Sequence, residues 1–490
     1  MEAHNPTDAI NENDKCADNL VTNSAISYLD TLYGGRLDTR CISNHNSSLQ
    51  SVHGKLKNIL SPLDKLFPLV QRYDLGPFVH WRGNATAPMH RWLRYREAYS
   101  PELIDKLSLG KRILDPFSGC GSIPIGAATR QRKSLGIDLN PIAAFSTKVK
   151  LTPLTPRQIS TIRSFAKKIE VAARHQQPFP IPGLSISAKV FEPEILDAVL
   201  RARSALEEYF CDDQASRDFV FLAWLSVLET VGSYFKEGNG IKYRNKKRQK
   251  GRYENRPEGE WQLARFGPDQ RKFFIDVFRS QLKMMIEDAT HWSGGAWSDQ
   301  TVVEGSAFDL TKIAGRRRFD SVVFSPPYAN RFDYFESFKV ELWFGNFVNS
   351  YGELNSLRKA SLRSHLNADF KRPSHPIEPL EELISLMDRD ASSWRMGVAD
   401  LVRGYFHDLR IVLEQCRAVM PKGRCHVVVG NSAFAGVIIP TDVLTAMVAQ
   451  NAGFSTATLV ETRHLTVAPQ QRNRLRGFEP YMRESIVVLE

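Results

Sequence analysis

Short apolar runs, each too brief for a helix, recur along this chain and stop abruptly at a polar residue. Ile113-Leu114 ends at Asp115, Leu135-Gly136-Ile137 at Asp138, and Val322-Val323-Phe324 at Ser325. Thr301-Val302-Val303 is a further run of the kind. Such runs, bounded by turn residues, read as buried strands. Later strands are predicted at Cys425–Val429, Thr456–Val460 and Glu484–Leu489. Ile123 to Thr129 is small and apolar, which suits a helix packed closely on a sheet, and Leu401–Val419 reads as a helix ending before Pro421-Lys422-Gly423. The order strand, turn, helix, strand predicts an α/β fold with a mostly parallel, doubly wound sheet.

The alternation lapses over residues 151–299. Helices are predicted near 192–210, 214–235 and 268–289, with a basic segment between the last two. The most apolar stretch, Phe219 to Phe235, contains Glu229 and is followed by Lys236. It reads as a buried core helix, not a membrane span. Residues 1–55 are rich in Asn, Asp and Ser and carry little hydrophobic periodicity, which predicts a flexible N-terminal arm. The expected layout is therefore an arm (1–55), a catalytic domain in two pieces (56–150 and 300–490), and a helical, basic insertion (151–299). No internal repeat is visible.

The 490 residues, 42% of them hydrophobic, suffice for a large core. The net charge of +11 favours an acidic partner, with nucleic acid ahead of a membrane surface. The cysteines at 16, 41, 120, 211, 416 and 425 form no CxxC pair. That argues against a zinc ribbon or redox motif and suits a reducing cytoplasm. No metal site is expected. The N-terminus shows no basic-then-apolar signal segment.

Two motifs carry the chemistry. The first is Asp115-Pro116-Phe117-Ser118-Gly119-Cys120-Gly121-Ser122, followed by Gly136-Ile137-Asp138-Leu139-Asn140-Pro141. Gly119 and Gly121 allow a sharp turn and a close approach of backbone to ligand. Asp138, ending the second strand, can accept hydrogen bonds from two ribose hydroxyls. Pro124 stands where the third glycine of a dinucleotide site belongs, so NAD or FAD does not fit. The second motif is Ser325-Pro326-Pro327-Tyr328 at the end of an apolar strand. Taken alone, it could also be a polyproline turn.

Together these motifs resemble those of the bacterial S-adenosylmethionine-dependent DNA amino-methyltransferases. The resemblance covers about residues 75–150 and 300–490. It implies a Rossmann-like class I methyltransferase fold with S-adenosylmethionine as cofactor. Asp115, Phe117, Gly119 and Gly121 would line the methionine and adenosine region, and Asp138 would hold the ribose. The segment from Met89 to Pro101 is similar to the element covering the methionine end, which places Tyr99 and Ser100 there. Gly305-Ser306-Ala307-Phe308-Asp309-Leu310 resembles the loop beside adenine. Ser306 occupies a position where relatives often carry an acid, and Asp309 is nearby.

In such enzymes the last motif clamps an exocyclic amine, a poor nucleophile whose lone pair is delocalised into the base. Acceptors from Ser325 and the Pro326 carbonyl would draw the nitrogen toward tetrahedral geometry, and Pro326 and Pro327 stiffen the loop. Tyr328 would stack on the flipped base, worth roughly 1–3 kcal/mol. The SPPY form more often marks cytosine-N4 enzymes. Adenine N6, an amine in RNA, and a non-catalytic DNA-binding protein on the same fold are the alternatives. Carbon-5 methylation needs a Pro-Cys thiolate, and no cysteine here follows a proline.

Lys242, Arg244, Lys246, Lys247, Arg248, Lys250 and Arg252, interleaved with Tyr243 and Tyr253, form the predicted phosphate-tracking segment. Arg472, Arg474 and Arg476 make a second basic cluster. The expected partner is double-stranded DNA in a bacterial cytoplasm, at the nucleoid, with a cognate restriction endonuclease compatible and no membrane. Arg331 and Asp333, after the clamp, are candidates for base or backbone contact, or for surface roles.

Overall fold

Strand β-propensity and two-sided burial dictate where the sheet forms. In the computed structural model, Ile113, Leu114, Ile137, Val322, Val323 and Phe324 are almost wholly removed from solvent, and so are Val427, Val428 and Val429. Such apolar runs are stable only with layers on both faces. The structure describes residues 39–490 apart from 96–97, 238–239, 250–251, 256–258, 292–294 and 296.

The strands are β1 (Leu69–Gln71), β2 (Arg112–Asp115), β3 (Lys133–Asp138), β4 (Tyr234–Glu237), β5 (Gly240–Tyr243), β6 (Lys246–Gln249), β7 (Arg252–Asn255), β8 (Gln300–Glu304), β9 (Ser321–Phe324), β10 (Arg424–Gly430), β11 (Ser432–Phe434), β12 (Val437–Ile439), β13 (Ala457–His464) and β14 (Arg483–Leu489). Eight of them build one sheet in the order β1-β13-β14-β10-β9-β2-β3-β8. All neighbours are parallel except those of β14, which runs antiparallel to both β10 and β13. From β2 the chain winds to β3 and β8 on one side, then to β9 and β10 on the other. The crevice between β2 and β9 is the topological switch point, where ligands of doubly wound sheets bind. The fold is thus α/β and Rossmann-like, with a mostly parallel, doubly wound sheet. β1, too short to show periodicity, escapes sequence detection.

Residues 139–299 leave the sheet and return. The helices Pro156–His175, Pro193–Tyr209, Gln214–Val231 and Gln270–His291 pack around Phe165, Phe210, Trp224, Phe274 and Phe278, all buried. The helix expected to reach 235 stops at Val231, because β4 takes over from Tyr234. The basic segment is not a bare loop. β4 with β5 and β6 with β7 are antiparallel hairpins. Asp288 ties this region to the segment before β2, accepting from Met89 N (3.0 Å), Trp92 Nε1 (2.9 Å) and Arg91 Nη2 (2.5 Å).

The chain divides into Met1–Asn58 and Ile59–Glu490. Residues 1–38 of the expected arm lie outside the described residues. From Thr39 the chain is helical as far as Leu63, so the last part of that segment has helical backbone. Val52, Leu56, Ile59 and Leu63 supply a helical spacing that sparse apolar content hides. Among the described residues no helix is long and apolar enough to cross a membrane.

Candidate active site

β2 delivers Asp115 and the turn after it. The Asp115 carboxylate accepts from Phe117 N at 3.1 Å and from the Tyr99 hydroxyl at 2.5 Å. It is 1% exposed, and burial raises its pKa to about 7. Tyr99 also reaches Val323 O at 3.5 Å, pinning the segment before β2 to the middle of the sheet. Burial and the Asp115 charge hold the Tyr99 phenol well above its ordinary value. Asp115 and Tyr99 therefore brace the turn, and neither they nor Ser100, whose Oγ accepts from Glu102 N at 3.3 Å, line the crevice.

The turn itself runs through two left-handed glycines, Gly119 (φ 50°) and Gly121 (φ 90°). A side chain at Gly121 would stand 2.5 Å from Thr147 Cγ2, and one at Gly119 would stand 3.2 Å from the Tyr95 ring. Gly121 caps the helix Ser122–Thr129 and is packed away from the crevice, whereas Gly119 faces it. Lys150 Nζ, buried, donates to Cys120 O at 3.0 Å, and Thr147 Oγ1 to Gly119 O at 3.1 Å.

Asp138 ends β3. Its oxygens accept from Gly119 N (2.7 Å) and Asn140 N (2.8 Å). Burial raises its pKa to about 6, with those two N–H groups pulling the other way. A carboxylate offers about four lone-pair sites, so two acceptor positions remain. Asn140 then caps the helix Pro141–Leu151 by accepting from Ile142 N at 3.1 Å.

These elements line a half-open crevice at the switch point. Phe117, Gly119 and Asp138 line it from β2 and β3, Ser306 and Phe308 from beyond β8, and Ser325 and Pro327 from beyond β9. Pro326 is buried in the loop, and Asp309 is not part of the lining. Tyr328 is half-buried, and its hydroxyl donates to Glu484 Oε1 at 2.8 Å. The sequence pattern gave no sign of the wall formed by Ser361, Leu362, Ser364 and His365. Burial keeps the His365 pKa below the ordinary histidine value, against the opposing charge of Asp333. As His365 Nδ1 accepts from Asn367 N (3.2 Å), its Nε2–H is left for Ser361 Oγ (3.1 Å).

Neither Arg331 nor Asp333 lines the crevice. Asp333 is buried and accepts from Arg358 Nε and Asn367 Nδ2, both at 2.8 Å, while capping the helix Tyr334–Ser337. Arg331 adopts φ 72° and donates its N–H to Ser364 O.

Among the basic residues, Lys242 pairs with Glu237 at 2.7 Å. Arg244 turns inward toward Glu229 O and the Phe235 ring. Lys246 is exposed. Lys250 lies outside the described residues, as do the side chains of Lys247, Arg248 and Arg252. In the second cluster Arg474 is paired with Asp388, while Arg472 and Arg476 are exposed and flank a groove with Leu465 and Glu479. That loop leaves the carboxyl end of β13. Since β13 runs the same way as β10 and β9, it emerges at the edge where Ser325–Tyr328 lies.

No protein-family model matches the chain. It is 25% identical over 425 residues to "Type II methyltransferase M.BsoBI" of Geobacillus stearothermophilus, covering 77% of this chain and 80% of that one. It is 22% identical over 411 residues to "Type II methyltransferase M.AvaI" of Nostoc sp., covering 77% and 81%. A shorter match, 22% over 236 residues, is to "Type II methyltransferase M.MvaI" of Kocuria varians, covering 45% and 47%.

Proposed function

We propose, from its similarity to type II methyltransferases, that the chain transfers a methyl group from S-adenosylmethionine to the N4 amine of a cytosine flipped out of duplex DNA. The observation that carries this reading is the convergence of Ser325 and Pro327 with Phe117, Gly119 and Asp138 on one crevice. Cofactor motif and clamp motif, far apart in sequence, share a wall.

The residues fit the cofactor. Asp138 keeps free acceptor positions for ribose hydroxyls, Phe117, Leu139 and Phe308 offer apolar surface for a planar base, and Gly119 removes the side chain that would block approach. When bound, S-adenosylmethionine supplies an electrophilic methyl group. Ser325 Oγ and the Pro326 carbonyl accept from the target amine, concentrate its lone pair and set its direction. Direct displacement at that methyl would leave the neutral thioether and one proton, passed to solvent, and would need no covalent enzyme intermediate.

Flipping requires the enzyme to grip the duplex on either side of the target. In this reading the loop after β13, with exposed Arg472 and Arg476, holds phosphates beside the clamp. Residues 151–299, with the hairpins β4–β5 and β6–β7, are the candidate target-recognition region. A cognate restriction endonuclease would share the recognition sequence.

The test is nucleoside mass spectrometry on DNA from methylation-free cells expressing the chain, beside a Tyr328→Ala control. N4-methylcytosine in the unaltered sample alone supports the full reading. N6-methyladenine keeps the clamp and overturns the target. Neither mark, from folded protein that binds S-adenosylmethionine, turns the assignment to RNA or to a non-catalytic role.

A further inference from the structure

β13, β14 and β10 lie side by side next to the clamp loop, and each contributes one residue to a single arrangement. Gly430 of β10 is the register partner of Glu484 on β14, and Glu484 also faces Arg463 of β13. A Cβ on Gly430 would stand 3.0 Å from Tyr328 Cε2, so the missing side chain is what admits the ring. The Tyr328 hydroxyl donates to Glu484 Oε1 at 2.8 Å. Arg463 closes the other side, with Nε 2.5 Å from Oε2 and Nη2 3.1 Å from Oε1. The β13–β14 register shifts between Glu461 and Arg463, and such an irregularity re-aims a side chain.

Glu484 is 2% exposed. A buried carboxylate is costly unless its oxygens are satisfied, and here they are satisfied by one cation and by the clamp tyrosine. Burial and the Glu484 charge hold the Tyr328 phenol well above its ordinary value, opposed by the Ser325 hydroxyl. The phenol is therefore a hydrogen-bond donor throughout the working pH range.

We propose that Glu484, held by Arg463, is a positioning residue that fixes the ring of Tyr328 before the base arrives. A phenyl ring free to rotate must be ordered on each encounter, whereas one tethered at its far end presents a preformed stacking face. Glu484 acts only through Tyr328 and touches no substrate. The inference rests on the reading of Ser325–Tyr328 as a base clamp.

Methyl transfer from labelled S-adenosylmethionine to duplex DNA is measured for the unaltered chain, Tyr328→Phe, Glu484→Gln, Glu484→Ala and the Tyr328→Phe/Glu484→Ala double variant. A hydrogen bond to a charged group corresponds to roughly 10- to 100-fold. Tyr328→Phe and Glu484→Ala are each expected to lower kcat by about tenfold or more, with the KM for S-adenosylmethionine unchanged. Glu484→Gln, which keeps an acceptor, recovers most of the loss. The double variant is no slower than the slower single one, because both changes cut the same tether. Multiplying losses, a Glu484→Gln variant as slow as Glu484→Ala, or unaltered kcat in Tyr328→Phe overturns the proposal. Tyr328→Phe removes one oxygen only, so it remains decisive if Glu484→Ala does not fold. No transfer by the unaltered chain overturns the clamp reading and this inference together, whereas transfer with additive losses overturns this inference alone.

Discussion

Asp408→Asn should be among the most damaging single-atom-scale changes outside the crevice. Asp408, 1% exposed on the helix Val398–Val419, accepts from Arg363 N (2.9 Å), Nε (3.1 Å) and Nη2 (2.7 Å), and from Arg372 Nη2 (3.1 Å). Arg363 is equally buried, and Gly404 one helical turn away makes room for it, since a Cβ there would stand 2.7 Å from Arg363 Cδ. Removing the carboxylate charge strands a guanidinium in the interior. Breaking a buried pair in this way costs about 3–5 kcal/mol. Arg363 lies within the Ser361–His365 wall of the crevice, so loss of its anchor should also weaken cofactor binding, by about tenfold if ~1.4 kcal/mol of that cost reaches the wall. Urea unfolding should show a lower midpoint with an unchanged slope, and titration of S-adenosylmethionine should show the weaker affinity. Adding Arg363→Met to Asp408→Asn removes the stranded charge and should return about 1–2 kcal/mol. An Asp408→Asn variant within about 1 kcal/mol of the unaltered chain, or a double variant less stable than the single one, would refute the argument.

Other expectations follow from the same geometry. Pro326→Ala or Tyr328→Ala should abolish transfer while sparing cofactor affinity, and near-normal turnover in either would remove the clamp assignment. Cofactor affinity should be flat above pH 7 and fall as pH drops through about 6, where Asp138 gains its proton and stops accepting; if Asp138→Asn keeps that pH profile, another group is responsible. Replacing the basic residues from Lys242 to Arg252 should weaken DNA binding and flatten its salt dependence, and Arg472→Ser with Arg476→Ser should lower the slope by ~0.9 for each phosphate that is no longer neutralised. An unchanged slope makes either segment a bystander. Gly121→Ala combines a left-handed backbone with a clash against Thr147 and should cost about 2–4 kcal/mol, part of which Thr147→Ala restores in a thermal-unfolding comparison.

The sheet's central strands and the two motifs at their carboxyl ends were legible because they are local signals: an apolar run, then a turn residue. Asp138 and Ser325 needed only that rule. The role of Asp115 was not legible, because its partner Tyr99 reaches it across a gap that only packing closes. The wall around His365 was invisible for the same reason: Arg363 and Asp408, which secure it, are held together by burial and leave no periodic trace. The helix Pro156–His175 did carry a readable start, since Thr155 and Gln158 form a capping box. The basic run showed its charge but not that its backbone pairs into hairpins or that Arg244 turns inward.

The insertion also shapes how the molecule can be made. β3 and β8 are neighbours in the sheet, yet their paired residues Ser134 and Gln300 are 166 positions apart. On a ribosome, β2 and β3 emerge long before the strand that completes their edge, and the unpaired side of β3 stays open while residues 139–299 are synthesised. Loop closure adds little to the final free energy, about 0.6 kcal/mol per doubling of length, but non-local pairing slows folding. An open β3 edge is a template for another nascent chain. How soon the helical insertion condenses beside it therefore sets how much of this protein escapes aggregation during synthesis.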